Sequence, residues 1–119
     1  MNEPRHCALW KHPDQADGGP LETQFELLET FVEESHWWRY LLKCRECGQR
    51  YFFEFYEEID WVNGNDPQFT TWIPVATDEE ISAARAAPAS ALGAFVPRLC
   101  KDWPREAKKA KLYWVTSTR

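Results

Sequence analysis

The sequence predicts an α+β fold in which an antiparallel β-meander surrounds a tight Cys-x-x-Cys-Gly turn. Two strand-like runs, 36–43 and 49–61, flank that turn, and hydrophobic residues alternate along the second run. The chain has 119 residues, of which 44% are hydrophobic and 15% aromatic, enough for one hydrophobic core. We expect one domain over 1–119, made of a loop-rich segment 1–20, a sheet over 21–76, and short helices with a final strand over 77–119.

The first two segments differ in how clearly their patterns can be interpreted. Residues 2–20 are polar and contain Pro13, Gly18, Gly19 and Pro20, which favours a loop. Residues 24–34 fit a helix by the spacing of their hydrophobic residues, but alternation and a possible turn at 34–35 also fit a strand. We predict a strand there, because such a turn would lead directly into 36–43 and extend the sheet.

The centre of the chain carries the strongest strand signals. The run 37–42 is aromatic and apolar on both faces, which is typical of a buried strand. Trp37 and Trp38 are adjacent, so in a strand they point to opposite faces of the sheet. Asn63-Gly64 is a strong turn signal, and 69–75 follows it as another strand-like run. These observations predict three or four antiparallel strands in sequence.

The last third of the chain predicts short helices and one more strand. Thr77 and Glu80 match a capping box, so a helix should begin after Thr77, run through Ala87 and end at Pro88. The other elements expected are a short helical turn at 92–96, a basic helical turn within 102–111, and a terminal strand at 111–116 that rejoins the sheet.

The charge of the chain is negative and unevenly distributed. The formal net charge is −5, but residues 1–84 carry a net −11 and residues 85–119 a net +6. An acidic surface repels phosphate backbones and anionic membranes and attracts a basic partner. No run approaches the roughly 18 apolar residues of a membrane span, and the N-terminus lacks the apolar run of a signal peptide. We therefore expect a cytoplasmic protein without membrane or nucleic-acid partners.

The motif Cys44-Arg45-Glu46-Cys47-Gly48 predicts a metal site. Two thiolates two residues apart can both reach one Zn²⁺ if the backbone turns tightly, and Gly48 allows the positive φ of such a turn. A thioredoxin-like redox motif fits less well, because that motif opens a helix, whereas 49–61 is predicted as a strand. The turn and its flanking strands resemble the zinc knuckle of zinc-ribbon and rubredoxin-type proteins.

Two further ligands are needed for a closed zinc site, and the sequence has no second Cys-x-x-Cys. Cys7 and His12 are the best candidates, which would give a Cys₃His site with Cys44 and Cys47; His6 and Cys100 are the alternatives. We expect such a zinc to be structural, since catalytic zinc keeps an open position and prefers histidine or carboxylate ligands. The competing interpretation is a reduced cysteine pair in a turn.

An acidic run on the second central strand is the candidate partner-binding surface. It comprises Glu54, Glu57, Glu58 and Asp60, with Tyr56 among them. Paired carboxylates can hold Mg²⁺ or divide acid and base roles, but the sequence places no histidine or nucleophile beside them and contains no phosphate-binding loop. Acidic and aromatic side chains together favour protein docking, and we expect no enzymatic activity.

In overall character the chain resembles bacterial toxin-immunity proteins, including those of contact-dependent growth inhibition. It shares with them its small size, acidity, many tryptophans and lack of a catalytic motif. The resemblance implies direct binding to a basic toxin nuclease domain, with Glu54, Tyr56, Glu57, Glu58 and Asp60 blocking its active site. Two alternatives remain: a zinc-ribbon module that contacts nucleic acid or the transcription and translation machinery, and a metal-dependent hydrolase that uses the acidic run.

Overall fold

The protein forms one six-stranded antiparallel sheet whose strands follow one another in chain order. The computed structural model describes residues 1–59, 61–64, 66–103 and 109–117. This architecture confirms the α+β class and the meander. The elements are α1 (Ala8–Lys11), α2 (Leu21–Gln24), β1 (Phe25–Glu34), β2 (Trp37–Cys44), β3 (Arg50–Glu57), β4 (Gln68–Val75), α3 (Asp78–Ala86), β5 (Arg98–Trp103) and β6 (Lys111–Val115), with 3₁₀ turns at Pro13–Asp17 and Leu92–Ala94.

The strand register aligns large side chains in rows across the sheet. In one row each residue faces the next on the neighbouring strand, in the order Tyr40, Phe53, Trp72, Leu99 and Trp114. Neighbouring side chains in such a row contact each other directly, and these contacts stabilise the pairing of the strands. We call the side of the sheet that carries this row the aromatic face.

Each side of the sheet has its own hydrophobic core. The N-terminal segment covers part of the aromatic face, where Trp114 Nε1 donates a hydrogen bond of 2.8 Å to the Leu9 carbonyl. The helix α3 and the segment after it cover the opposite face. Buried residues of the first core include Cys7, Leu9, Phe25, Leu42, Tyr51 and Trp72. Those of the second include Leu41, Phe52, Ile73, Val75, Ile81, Ala84 and Leu92.

The strand predicted at 24–34 is present as β1, preceded by the single helical turn α2. β1 ends the sheet on one side, and its register to β2 shifts twice, between Leu27 and Glu29 and between Thr30 and Val32. Bulges and outward glutamates are typical devices that keep an edge strand from pairing with another chain. The bulges also explain why apolar and polar residues alternate only imperfectly along residues 24–34.

The capping box predicted before α3 is confirmed. Thr77 Oγ1 accepts a hydrogen bond from the backbone N–H of Glu80 at 3.2 Å, and Glu80 Oε1 accepts one from the backbone N–H of Thr77 at 3.2 Å. Together they satisfy two of the N–H groups that a helix leaves unpaired at its start. The helix ends at Ala86, close to the Pro88 predicted to stop it.

Several boundaries differ from the sequence-based expectation. The strand β5 was not predicted. A basic helical turn was expected within 102–111, but Asp102 belongs to β5. Residues 104–108 of that expected turn lie outside the described residues. β3 ends at Glu57, four residues before the predicted end at Trp61. The N-terminal loop contains α1 and a 3₁₀ turn. Within the described ranges, no helix is long and apolar enough to cross a membrane.

Candidate metal centre and acidic cleft

Three separate elements bring three cysteines to one place. Cys7 caps the start of α1, Cys44 ends β2, and Cys47 lies in the turn between β2 and β3. Two backbone hydrogen bonds of 2.8 Å close that turn, from the N–H of Cys44 to the Gln49 carbonyl and from the N–H of Gly48 to the Cys44 carbonyl. Gly48 has φ +81°, as its place after the second cysteine predicted.

The three sulfur atoms lie close enough to hold a metal ion. All lie within 4.8 Å of one another; Cys7 and Cys44 are buried and Cys47 is half-buried. Tetrahedral zinc with bonds of about 2.3 Å requires sulfur atoms roughly 3.8 Å apart, so the cluster needs only small side-chain adjustments to bind it. The centre would join the N-terminal segment to the β2–β3 turn.

Tyr51, a residue of the predicted strand 49–61 that the sequence did not connect with the metal site, lies beside this cluster. Tyr51 is 0% exposed, and its hydroxyl has no hydrogen-bond partner among the described residues. Burial raises its pKa, and the thiols of Cys7, Cys47 and Cys44 raise it further, so the phenol stays protonated. A protonated phenol donates a hydrogen bond, and thiolates formed on metal binding would be its acceptors.

The predicted fourth ligand is not part of the cluster. His12 caps the end of α1 with its side chain exposed, and His6 is likewise exposed. Cys100 is buried on β5 and lines a cavity with Glu54 and Arg98, apart from the three clustered thiols. Among the described residues, the structure therefore brings together three of the four predicted ligands, Cys7, Cys44 and Cys47.

Metal affinity of this cluster is expected to rise with pH. Burial raises the pKa of Cys47 to about 12, and the neighbouring thiols of Cys7 and Cys44 act in the same direction. A metal must therefore displace thiol protons, and raising the pH removes that cost. Calorimetric zinc titrations between pH 6.5 and 8.5, in buffers of different ionisation enthalpy, should show tighter binding at higher pH and proton release. A pH-independent affinity would contradict thiolate ligation.

A second candidate site lies at the other end of the sheet, where the β1–β2 turn meets the loop after β3. The backbone N–H of Glu57 donates to the His36 carbonyl at 2.9 Å, and His36 Nδ1 lies 2.7 Å from Glu57 Oε1. These contacts hold the two turns side by side. Between them is a cleft of about 810 Å³, here called the acidic cleft, lined by Glu33, Glu34, Ser35, His36, Trp37, Tyr56, Glu57, Glu58, Ile59 and Trp61.

The predicted partner-binding residues divide between this cleft and the protein interior. Tyr56, Glu57 and Glu58 line the cleft. Glu54 does not: it is 3% exposed, and its Oε2 accepts a hydrogen bond of 2.7 Å from Arg39 Nε, so its carboxylate is unavailable to a partner. Its inclusion in the docking surface was wrong. Asp60 lies outside the described residues.

The sequence did not identify the other acidic residues of the cleft, or its most exposed aromatic residue, as partner-binding residues. Glu33 and Glu34 come from β1, far from the acidic run in the chain, and reach the cleft because β1 and β3 flank β2. Trp61 was the last residue of the predicted strand 49–61, but it lies in the loop after β3 and is 90% exposed. The cleft thus combines acidic side chains from two strands with an exposed aromatic side chain.

The two adjacent tryptophans occupy opposite faces of the sheet, as their positions predicted. Trp37 lines the acidic cleft, and its Nε1 donates to Glu54 Oε2 at 2.9 Å. Trp38 lines a different cavity and stacks on Phe55, with ring centroids 4.6 Å apart. The sheet therefore presents two distinct surfaces at this end.

Comparisons of this chain with protein-family models, with curated proteins and with solved structures found no match.

Proposed function

We propose that the protein is a binding module that neutralises a basic protein partner through the acidic cleft. The observation that carries the proposal is the composition of that cleft: four glutamates and three aromatic side chains surround it. Among the described residues that line the cleft, His36 is the one group that can become cationic, and it already contacts Glu57. The cleft therefore attracts lysine and arginine side chains.

Charge and aromatic side chains contribute in different ways to such an interface. The carboxylates would accelerate association and select against acidic partners. Trp61 and Tyr56 would supply apolar contact area, and tryptophan and tyrosine are the residue types most often found at energetic hot spots. Trp61 is mostly exposed, so a partner could bury much of its surface. This combination favours a folded basic protein over a simple counterion.

The partner that we propose is a toxin nuclease domain, and the protein would act as its immunity protein. A nuclease active site binds a polyanion and is therefore basic, so an acidic cleft is complementary to it. Binding of Glu33, Glu34 and Glu58 over such a site would exclude nucleic acid. This step rests on the resemblance in size, charge and tryptophan content to immunity proteins. The protein itself would carry out no reaction, and we propose that it acts in the cytoplasm.

We further propose that the three-cysteine cluster binds Zn²⁺ as a structural centre. Thiolates are preferred zinc ligands, and buried sites with several thiolates are usually structural. Tyr51 would donate a hydrogen bond to the metal-bound thiolates, the kind of outer-shell contact that stabilises such centres. The metal would fix Cys7, and with it the N-terminal segment, against the sheet.

The contacts of the described cations do not favour the nucleic-acid alternative. Arg45 Nε donates to the Glu22 carbonyl at 3.0 Å, and Arg50 Nη2 donates to the Ala76 carbonyl at 2.6 Å. Both guanidinium groups beside the cysteine turn thus already bind backbone oxygens. The hydrolase alternative loses a carboxylate, because Glu54 is paired inside the protein.

Reversing two charges in the cleft should weaken binding to a basic probe. We expect the double variant Glu34→Lys/Glu58→Lys to bind a synthetic arginine–glycine peptide about tenfold less tightly, since exposed charge pairs contribute up to about 1 kcal/mol each. Both residues are exposed, so the fold should be retained. Isothermal titration calorimetry at low and physiological salt measures the effect, which should shrink as salt increases.

A matched control separates the cleft from overall charge. The variant Glu26→Lys/Glu79→Lys changes net charge by the same amount at exposed positions outside the cleft, on β1 and α3. It should bind the peptide nearly as tightly as the unmodified protein. Equal weakening by both double variants would contradict a specific site, and Trp61→Ala should weaken binding with little change in salt dependence.

A further inference from the structure

The three-cysteine cluster supplies one ligand fewer than a closed zinc site needs. Structural zinc is almost always held by four ligands in tetrahedral geometry. Among the described residues, the side chains close enough together to share a metal ion are those of Cys7, Cys44 and Cys47. His6 and His12, the histidines nearest to Cys7 in the chain, are exposed and lie outside the cluster. The described side chains therefore leave one coordination position of a zinc ion open.

Small molecules have both access and room beside the cluster. Cys47 is only half-buried, so solvent reaches this part of the cluster. A cavity of about 200 Å³ adjoins it, and Cys7 and Cys44 are among the residues that line this cavity. That volume is far more than one water molecule needs. A fourth ligand of several atoms can therefore be accommodated next to the cysteines.

The other residues that line this cavity suit a neutral ligand. Gln15, Thr23 and Gln24 carry uncharged groups that can donate or accept hydrogen bonds. The charged residues of the lining are Arg45 and Glu46, which balance each other. Arg45 Nε already donates to the Glu22 carbonyl at 3.0 Å. The cavity thus offers hydrogen bonds without an excess of either charge.

The charge of the metal centre favours a neutral ligand as well. Three thiolates and one Zn²⁺ together carry one net negative charge. An anionic fourth ligand would double that charge beside two buried cysteines, and burying unpaired charge is costly. Thiolates also make zinc a weaker Lewis acid than neutral histidines do. The open position would therefore bind a ligand without promoting hydrolysis, in keeping with a protein that carries out no reaction.

We propose that a zinc ion in this cluster completes its coordination with a small neutral donor from solution, of the kind represented by water and imidazole. This inference rests on the proposed zinc binding and adds to it an exchangeable ligand position. The three thiolates would hold the metal, and the adjoining cavity would give the fourth ligand room.

Cobalt(II) can report this position, because it replaces zinc in thiolate sites and its visible spectrum depends on its ligands. One equivalent of cobalt should bind and give thiolate-to-metal charge-transfer absorption, which establishes the metal centre itself. Imidazole added in a non-coordinating buffer should then shift the d–d bands in a saturable way, with one imidazole per metal and the charge-transfer absorption retained. X-ray absorption of the zinc-loaded protein should show three sulfur donors and one nitrogen or oxygen donor.

Two variants separate a ligand from solution from one supplied by the chain. The double variant His6→Ala/His12→Ala, and Cys100→Ser as the control for a fourth sulfur, should respond to imidazole as the unmodified protein does. Three results would overturn the open position while leaving zinc binding intact: a cobalt spectrum unchanged by imidazole, a fourth sulfur donor, or a loss of about tenfold or more in metal affinity in the double histidine variant. Failure to bind either cobalt or zinc would contradict the metal centre, and this inference with it.

Discussion

Chelation of zinc should lower the melting temperature of the protein by about 15 °C. If free zinc is at about a thousand times its dissociation constant, binding adds about 4 kcal/mol to the stability of the folded state. For a domain of this size each kcal/mol corresponds to roughly 4 °C. The proposed reason is structural: a zinc ion bound by all three thiolates would tie Cys7, and with it the N-terminal segment, to the turn that carries Cys44 and Cys47. Differential scanning calorimetry with and without a chelator measures the shift.

Single cysteine variants identify the ligands behind that shift. Cys7→Ser, Cys44→Ser and Cys47→Ser should each melt near the temperature of the chelated protein and show no further response to chelator. Cys100→Ser is the matched control, because Cys100 is also buried but lies outside the cluster. The melting temperature of the Cys100→Ser variant should still fall when chelator is added. Two results together would contradict a metal centre: no change in melting temperature when chelator is added to the unmodified protein, and an equal melting temperature for Cys47→Ser. They would show that the cluster is only a group of reduced thiols.

Glu54→Gln should destabilise the protein by about 3–5 kcal/mol, the usual effect of leaving one member of a buried ion pair uncompensated. Arg39 is 2% exposed and lies between the rings of Trp37 and Phe52, with its guanidinium carbon 5.0 and 5.7 Å from their centroids. Its charge is balanced by the Glu54 carboxylate at 2.7 Å. Urea unfolding, followed by tryptophan fluorescence, measures the free energy.

The same arginine also links the sheet to the end of α3. Its Nη1 donates to the Ala87 carbonyl at 2.6 Å, and its Nη2 donates to the Pro88 carbonyl at 2.8 Å. Arg39→Met should therefore be about as costly as Glu54→Gln, and the double variant Arg39→Met/Glu54→Gln should cost less than the sum of the two single changes.

An exposed ion pair is the control for this prediction. Arg5 and Glu3 form a surface pair, and Glu3→Gln should change the free energy of unfolding by less than about 0.5 kcal/mol. If Glu54→Gln were equally mild, the Arg39–Glu54 pair would not stabilise the fold in the way its burial implies.

The parts of the fold that were predicted correctly are those with local signals. Alternation along 49–57 and the turn pair Asn63-Gly64 identified β3 and the strand that follows it. β5 has no such signal: Leu99 and Cys100 are adjacent and both buried, and the charged pair Lys101 and Asp102 follows them, so apolar and polar residues do not alternate along the strand. Nearby prolines at 97 and 104 made the same stretch look like the boundary of helical turns.

The candidate sites show the same division between local and tertiary information. Cys44 and Cys47 form a local motif, whereas the position of Tyr51 beside the sulfur atoms depends on packing between distant elements. Glu54 was misassigned because an acidic run has no signal that separates an exposed carboxylate from a paired one. The signal that could have identified the pair was on β2. Arg39 is the one charged residue between residues 37 and 42, and an arginine within a buried strand requires a buried acidic partner.

The most direct test of the proposed function is native mass spectrometry of the protein isolated gently from its own host without chelator. We expect a one-to-one complex with a net-basic protein, a nuclease that is inactive in the complex and active once released. We also expect that Glu34→Lys/Glu58→Lys loses this partner while Glu26→Lys/Glu79→Lys retains it. A partner held equally by both variants, or bound nucleic acid in its place, would contradict the assignment of the acidic cleft.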